Sequence, residues 1–184
     1  MIMQKLTFAF AAVLLMSASV AAQNYFTRDA KIKFNSDTPM EKIEAVTKSA
    51  SCLLNTQSGN LAWKVLINGF QFEKALMQEH FNENYMESSK FPNATFEGSI
   101  TNLGEINFAQ DGKYNAKVKG KMTIHGVTKD VDLNGTVKVS AGTITLNSNF
   151  VVAPADYDIK IPGLVKDNIA KEIKVLVEGV LKAK

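Results

Sequence analysis

This chain carries very little of what most catalytic or cross-linked proteins rely on. Cys52 is its one cysteine, so no internal disulfide can form and stability must come from an apolar core. Cys52 shares strand parity with Ala50 and Leu54, and nothing beside it in sequence would lower its pKa. It reads as a small buried apolar residue rather than a reactive thiol. His80 and His125 are the only histidines, with no HExxH or comparable spacing, so we expect no metal site. No Gly-x-Ser-x-Gly elbow is present. Gly112-Lys113 and Gly120-Lys121 fall in a turn and a strand, not in a phosphate-cradling loop before a helix. Charge of one sign is also scarce. The net charge is +3, about +2 without Lys5, too mild to argue for nucleic acid. No stretch after the first residues is apolar and long enough to cross a bilayer as a helix.

The N-terminus has the grammar of a leader. Lys5 supplies a positive start, Leu6 to Met16 is apolar or small apart from one Thr, and Val20, Ala21 and Ala22 form a small-residue cleavage site. The expectation is a signal peptide over 1–22, cut after Ala22, and a periplasmic or secreted domain over 23–184. About 160 residues suit one domain with one core.

What is abundant is alternation. Tyr114, Ala116, Val118, Gly120, Met122 and Ile124 share one parity, while Asn115, Lys117, Lys119, Lys121 and Thr123 share the other. Successive strand residues point to opposite faces, so this is a long strand with one apolar and one wet face. The lysines read as a solvated face that also discourages edge pairing. Similar strands are expected at 24–35, 40–48 (polar, on an edge), 49–57, 61–67, 94–100, 106–108, 144–152 and 173–181. Asn134-Gly135 resembles a hairpin turn, but a two-residue turn there would pair Asp132 with Val137 and put Val137 on the wrong face. We therefore expect one strand running through, with Gly135 at a bend or bulge. Between Phe72 and Lys90 the spacing turns helical, with Phe72, Leu76, Met77, Phe81 and Tyr85 on one side. The resulting class is all-β with one helix, an antiparallel β-barrel of about eight strands, or else a flat sandwich capped by the helix.

Two stretches resemble a known family. Met122-Thr-Ile-His-Gly-Val-Thr-Lys129 is similar to the most recognisable motif of the YceI-like polyisoprenoid-binding proteins of bacteria. Glu79-His80-Phe81, Tyr85 and Lys90-Phe91-Pro92-Asn93-Ala94-Thr95-Phe96 are similar to that family's helix and its continuation; Asp156-Tyr157-Asp158-Ile159 is a weaker third match. The resemblance implies a lipocalin-like barrel with a long pocket for an isoprenoid tail, such as that of a quinone or another lipid. Family members often carry Arg-Asp where this chain has Met77 and Gln78, and an Arg where it has Pro154 or Ala155.

The combined expectation is an exported, non-catalytic carrier or sequestering protein. Its partner would be a long-chain apolar lipid and its cofactor none beyond that lipid. We expect no stable membrane insertion, and a homodimer stays open. From parity and helical spacing, the cavity residues would be Trp63, Phe72, Leu76, Met77, Phe81, Phe96, Tyr114, Met122, Ile124 and Phe150. The rival is a barrel filled by side chains that acts through its surface as an interaction or stress-response module. An enzyme would need His80, Glu79 and Tyr157 to converge inside.

Overall fold

The computed structural model describes residues 24–184. The leader read at 1–22 lies outside the described residues. The strands are β1 (Asn24–Asp37), β2 (Lys42–Asn55), β3 (Asn60–Leu66), β4 (Gln71–Phe72), β5 (Asn93–Ile100), β6 (Gly112–Ile124), β7 (Val127–Ser140), β8 (Thr143–Val152) and β9 (Ile173–Ala183). Every pairing is antiparallel. The order β1-β9-β8-β7-β6-β5-β3-β2 closes on itself through β1–β2, giving an eight-stranded barrel; β4 is a short flap on β2. Closure leaves no long edge, so a 14-residue strand such as β2 is never open to solvent pairing.

Two strand expectations need correction. The residues 40–48 and 49–57 belong to one strand, β2, which is interior to the barrel and not an edge. Ala45 and Thr47 point inward, and so do Ala50, Cys52 and Leu54, on the opposite parity. The switch is a bulge: the β1–β2 register slips on either side of Ala30, with Ala30 opposite Ala50 and Ile32 opposite Thr47. An inserted residue inverts parity just as a turn would, which is why the sequence pattern breaks there. Ile106 and Phe108 are not in a strand. They follow a 3-10 turn at Leu103–Glu105, where Ile106 is buried and Phe108 packs on the same core. Theirs is a plug, not a rung.

β7 does run straight through Asn134-Gly135, in unbroken register with β6 from Gly112↔Val139 to Ile124↔Val127, so no bulge occurs on that side. With β8, however, β7 pairs only from Gly135↔Ser148 to Ser140↔Thr143. Beyond Gly135 the two strands part. Ser148 closes the fork by donating its hydroxyl to the Asn134 carbonyl at 2.7 Å. On the outer face, Lys119 and Lys121 sit opposite Asp132 and Asp130 and pair with them at 3.0 and 2.9 Å. Exposed pairs like these contribute about 0–1 kcal/mol each.

The helix is shorter than its spacing suggests. Phe72 is taken up by β4, where it pairs with Ala45. The α-helix α1 covers Ala75–His80 and passes into one π-turn at Phe81–Tyr85, where the Met86 N–H reaches the Phe81 carbonyl at 2.8 Å. Glu87 at φ 42° then leaves helical space, ahead of Pro92.

Cys52 is fully buried, and burial pushes its thiol pKa up. It should resist thiol reagents in the folded protein and label completely in denaturant. Labelling in native buffer at the unfolded rate would contradict this packing.

Candidate ligand-binding cavity

The barrel is filled at one end and hollow at the other. At the end carrying the β5–β6 and β7–β8 connections, Leu54, Ile106, Val139, Ile144 and Leu181 pack together and do not border the main cavity. Above them lies a cavity of about 570 Å³, within the roughly 300–1,000 Å³ of typical small-molecule sites. Its deep wall is Leu61, Ile100, Ala116, Val118, Val137 and Leu146. Glu41, Lys74, His80, Tyr85 and Asn168 come from the segments at the open end, and Lys64, Thr95, Thr136, Asn147 and Ser148 border the cavity from the barrel strands.

Of the ten residues chosen from the sequence, Trp63, Phe72, Leu76, Met77, Phe81, Phe96, Met122, Ile124 and Phe150 all border this cavity. Tyr114 does not. It has the inward parity, but it sits one strand-end too low, beside the plug, and donates its hydroxyl to the Gln110 carbonyl at 3.2 Å. Parity assigns a face but not a height along the barrel axis.

The wall next to the helix is aromatic. Phe81 stacks on Phe34 with centroids 5.3 Å apart, and lies 5.8 Å from Phe70 and 5.0 Å from Phe72. Such offset and edge-on contacts add roughly 0.5–1.5 kcal/mol each beyond burial. They seat a lid that contributes no rung to the barrel. A further tie holds it, from the Phe72 N–H to the Gln78 Oε1 at 3.3 Å.

Sequence reasoning missed Phe34, and missed the segment after β8. Phe34 was readable, since Ile32 and Phe34 share parity in β1. The sequence reads as a short irregular or helical segment from Pro162 to Lys171; in the structure Ile159, Ile161, Val165 and Ile169 all line the cavity. No periodicity marks them, because a loop folded over an opening has none. Two hydrogen bonds hold this loop down, from Asn168 Nδ2 to Glu41 Oε2 at 3.1 Å and from the Ala170 N–H to Ser36 Oγ at 2.8 Å. Glu41 also lies near Tyr85, whose hydroxyl is pushed up in pKa by burial and, less, by that carboxylate. Leu164, at the loop tip, is 100 % exposed.

The three groups named from the sequence as an enzyme's, His80, Glu79 and Tyr157, do not gather here. His80 borders the cavity, but Tyr157 and Glu79 do not. Among the described residues no three His, Cys, Asp or Glu side chains cluster as a metal site would require. No helix among them is long and apolar enough to cross a membrane.

A model of the YceI-like domain matches residues 7–181. The chain belongs to the YceI-like family. Solved structures with this fold include a polyisoprenoid-binding domain from Saccharophagus degradans implicated in plant cell wall breakdown. It is 16 % identical, with TM-score 0.77, over 89 % of this chain and 99 % of that one. BcnA of Burkholderia cenocepacia is 16 % identical, with TM-score 0.67, over 83 % and 95 %. The YceI protein of Campylobacter jejuni is 18 % identical, with TM-score 0.57, over 74 % and 82 %. No curated protein matches. At these identities the YceI likeness establishes the barrel and its topology.

Proposed function

We propose that this protein is an exported, non-catalytic carrier or sequestering protein that holds a long-chain isoprenoid or similar apolar lipid inside its barrel. The observation that carries the reading is the cavity: a hollow upper barrel whose deep wall is built of apolar side chains such as Leu61, Ile100, Val118, Val137 and Leu146. The polyisoprenoid binding of the Saccharophagus domain supports the ligand class, and the leader-like N-terminus supports export. A tail of about 20 apolar carbons loses on the order of 500 Å² of exposed surface on entry, roughly 12 kcal/mol gross. Immobilisation costs roughly 4–15 kcal/mol, so affinity depends on a cavity that exists before the ligand arrives. The nine cavity-lining residues read from the sequence would contact the tail.

Native mass spectrometry of detergent-free protein from the periplasm, with organic extraction, tests the proposal. The expected result is a mass excess that resolves into a polyisoprenoid or another long-chain lipid. An apo mass unchanged after incubation with quinones and fatty acids would overturn it.

A further inference from the structure

We propose that His125 is a charged clasp that holds the cavity's covering segments shut, and that raising the pH opens it; the proposal rests on the cavity reading above. All three stretches singled out in the sequence meet at this ring. His125 stands in the two-residue turn between β6 and β7 and is 9 % exposed. Its Nδ1 faces the Tyr157 carbonyl at 3.1 Å, and its Nε2 faces Glu87 Oε1 at 3.2 Å. The Phe91 ring lies edge-on at 4.5 Å, against Gly126, where a Cβ would come within 2.5 Å of it.

A carbonyl and a carboxylate only accept hydrogen bonds. Both contacts together therefore need N–H on both ring nitrogens, which is the imidazolium. In the neutral ring with Nδ1–H kept on Tyr157, the Nε2 lone pair points at a carboxylate 3.2 Å away. Deprotonation would replace a charge-assisted bond with a repulsion.

The two segments held by His125 are those that cover the cavity. Glu87 lies two residues after the π-turn that carries Phe81 and Tyr85, and Tyr157 lies between the cavity-lining Pro154 and Ile159. The second of these segments also closes the fork where β7 and β8 part. Lys129 of β7 meets Asp156 there at 3.8 Å. Among the described residues, Glu87, His125 and Asp158 are three of the four non-glycine residues at positive φ, at 42°, 51° and 55°.

The segments that meet at His125 carry these charged and titratable groups. Glu87 and Lys90, 3.7 Å apart, come from the helix exit. Asp156, Tyr157 and Asp158 come from the turn after β8, and Lys129 from β7. The sign follows from the cation. The clasp needs an N–H on each ring nitrogen, so a rise in pH that removes one of those protons breaks it.

The test uses a pyrene-labelled alkyl chain as probe, with its dissociation rate measured by stopped flow between pH 5 and 8. Wild-type protein should release the probe roughly tenfold faster at the high end, the size of one charge-assisted hydrogen bond. His125→Gln and Glu87→Gln should each flatten the profile. A flat wild-type profile, or a dependence that survives His125→Gln in folded protein, would each overturn the clasp while leaving the cavity reading standing. No probe binding by any form at any pH would overturn both.

Discussion

Phe81→Asp should abolish ligand retention and leave a folded barrel. Phe81 is the centre of the aromatic cluster, touching Phe34, Phe70 and Phe72, and it borders the cavity directly. Asp removes those contacts and places a carboxylate against an apolar tail. The combined penalty on binding is about 3 kcal/mol, or on the order of a hundredfold in affinity. The barrel should survive, because Phe81 lies on the lid and pairs with no strand. It is only half-buried, so the stability loss should fall below the roughly 3–5 kcal/mol of a fully buried Phe. The measurement is co-purified lipid by mass spectrometry, beside far-ultraviolet circular dichroism. Lipid retained in a mutant with native β signal would show that the helix does not govern the pocket.

The largest stability effect is expected from Gly120→Val. Gly98 and Gly120 lie directly opposite each other in β5 and β6, and the Phe96 ring lies over the pair. A Cβ on Gly120 would stand 2.4 Å from the Glu97 carbonyl oxygen, 2.6 Å from the Gly98 Cα and 2.7 Å from the Phe96 Cζ. Phe96 could swing away, but the other two atoms are backbone, so the strands themselves must separate. Overpacking of this kind costs about 3 kcal/mol. In a domain of this size that lowers Tm by roughly 6–12 °C. Pairing the change with Phe96→Ala should recover little, since the backbone clash stays. Full recovery in that double variant would locate the constraint in the ring instead.

Several elements were readable from the residues because their cause is local. β6 was visible from Lys113 to Ile124, and β7 was visible as a single strand because Val131, Leu133, Val137 and Val139 keep one parity across Asn134-Gly135. Cavity residues on regular elements, such as Trp63, Met122 and Phe81, followed from the same periodicities. The errors have local causes as well. The bulge near Ala30 inverted parity in β2 and looked like two strands. Tyr114 has the right face but lies beside the plug. Ile106 and Phe108 were apolar for the sake of that plug, not for a rung.

Alternation along each strand reaches no further than the next residue, so the chain alone settled the β class, the apolar interior and the faces that build it. Height along the axis, the hollow upper half and the meeting of Glu87, His125 and Tyr157 depend on strands and loops up to 70 residues apart, from Glu87 to Tyr157. These relations arise only when the sheet closes, because closure, not periodicity, sets which rungs stand level and which loops fold over the opening.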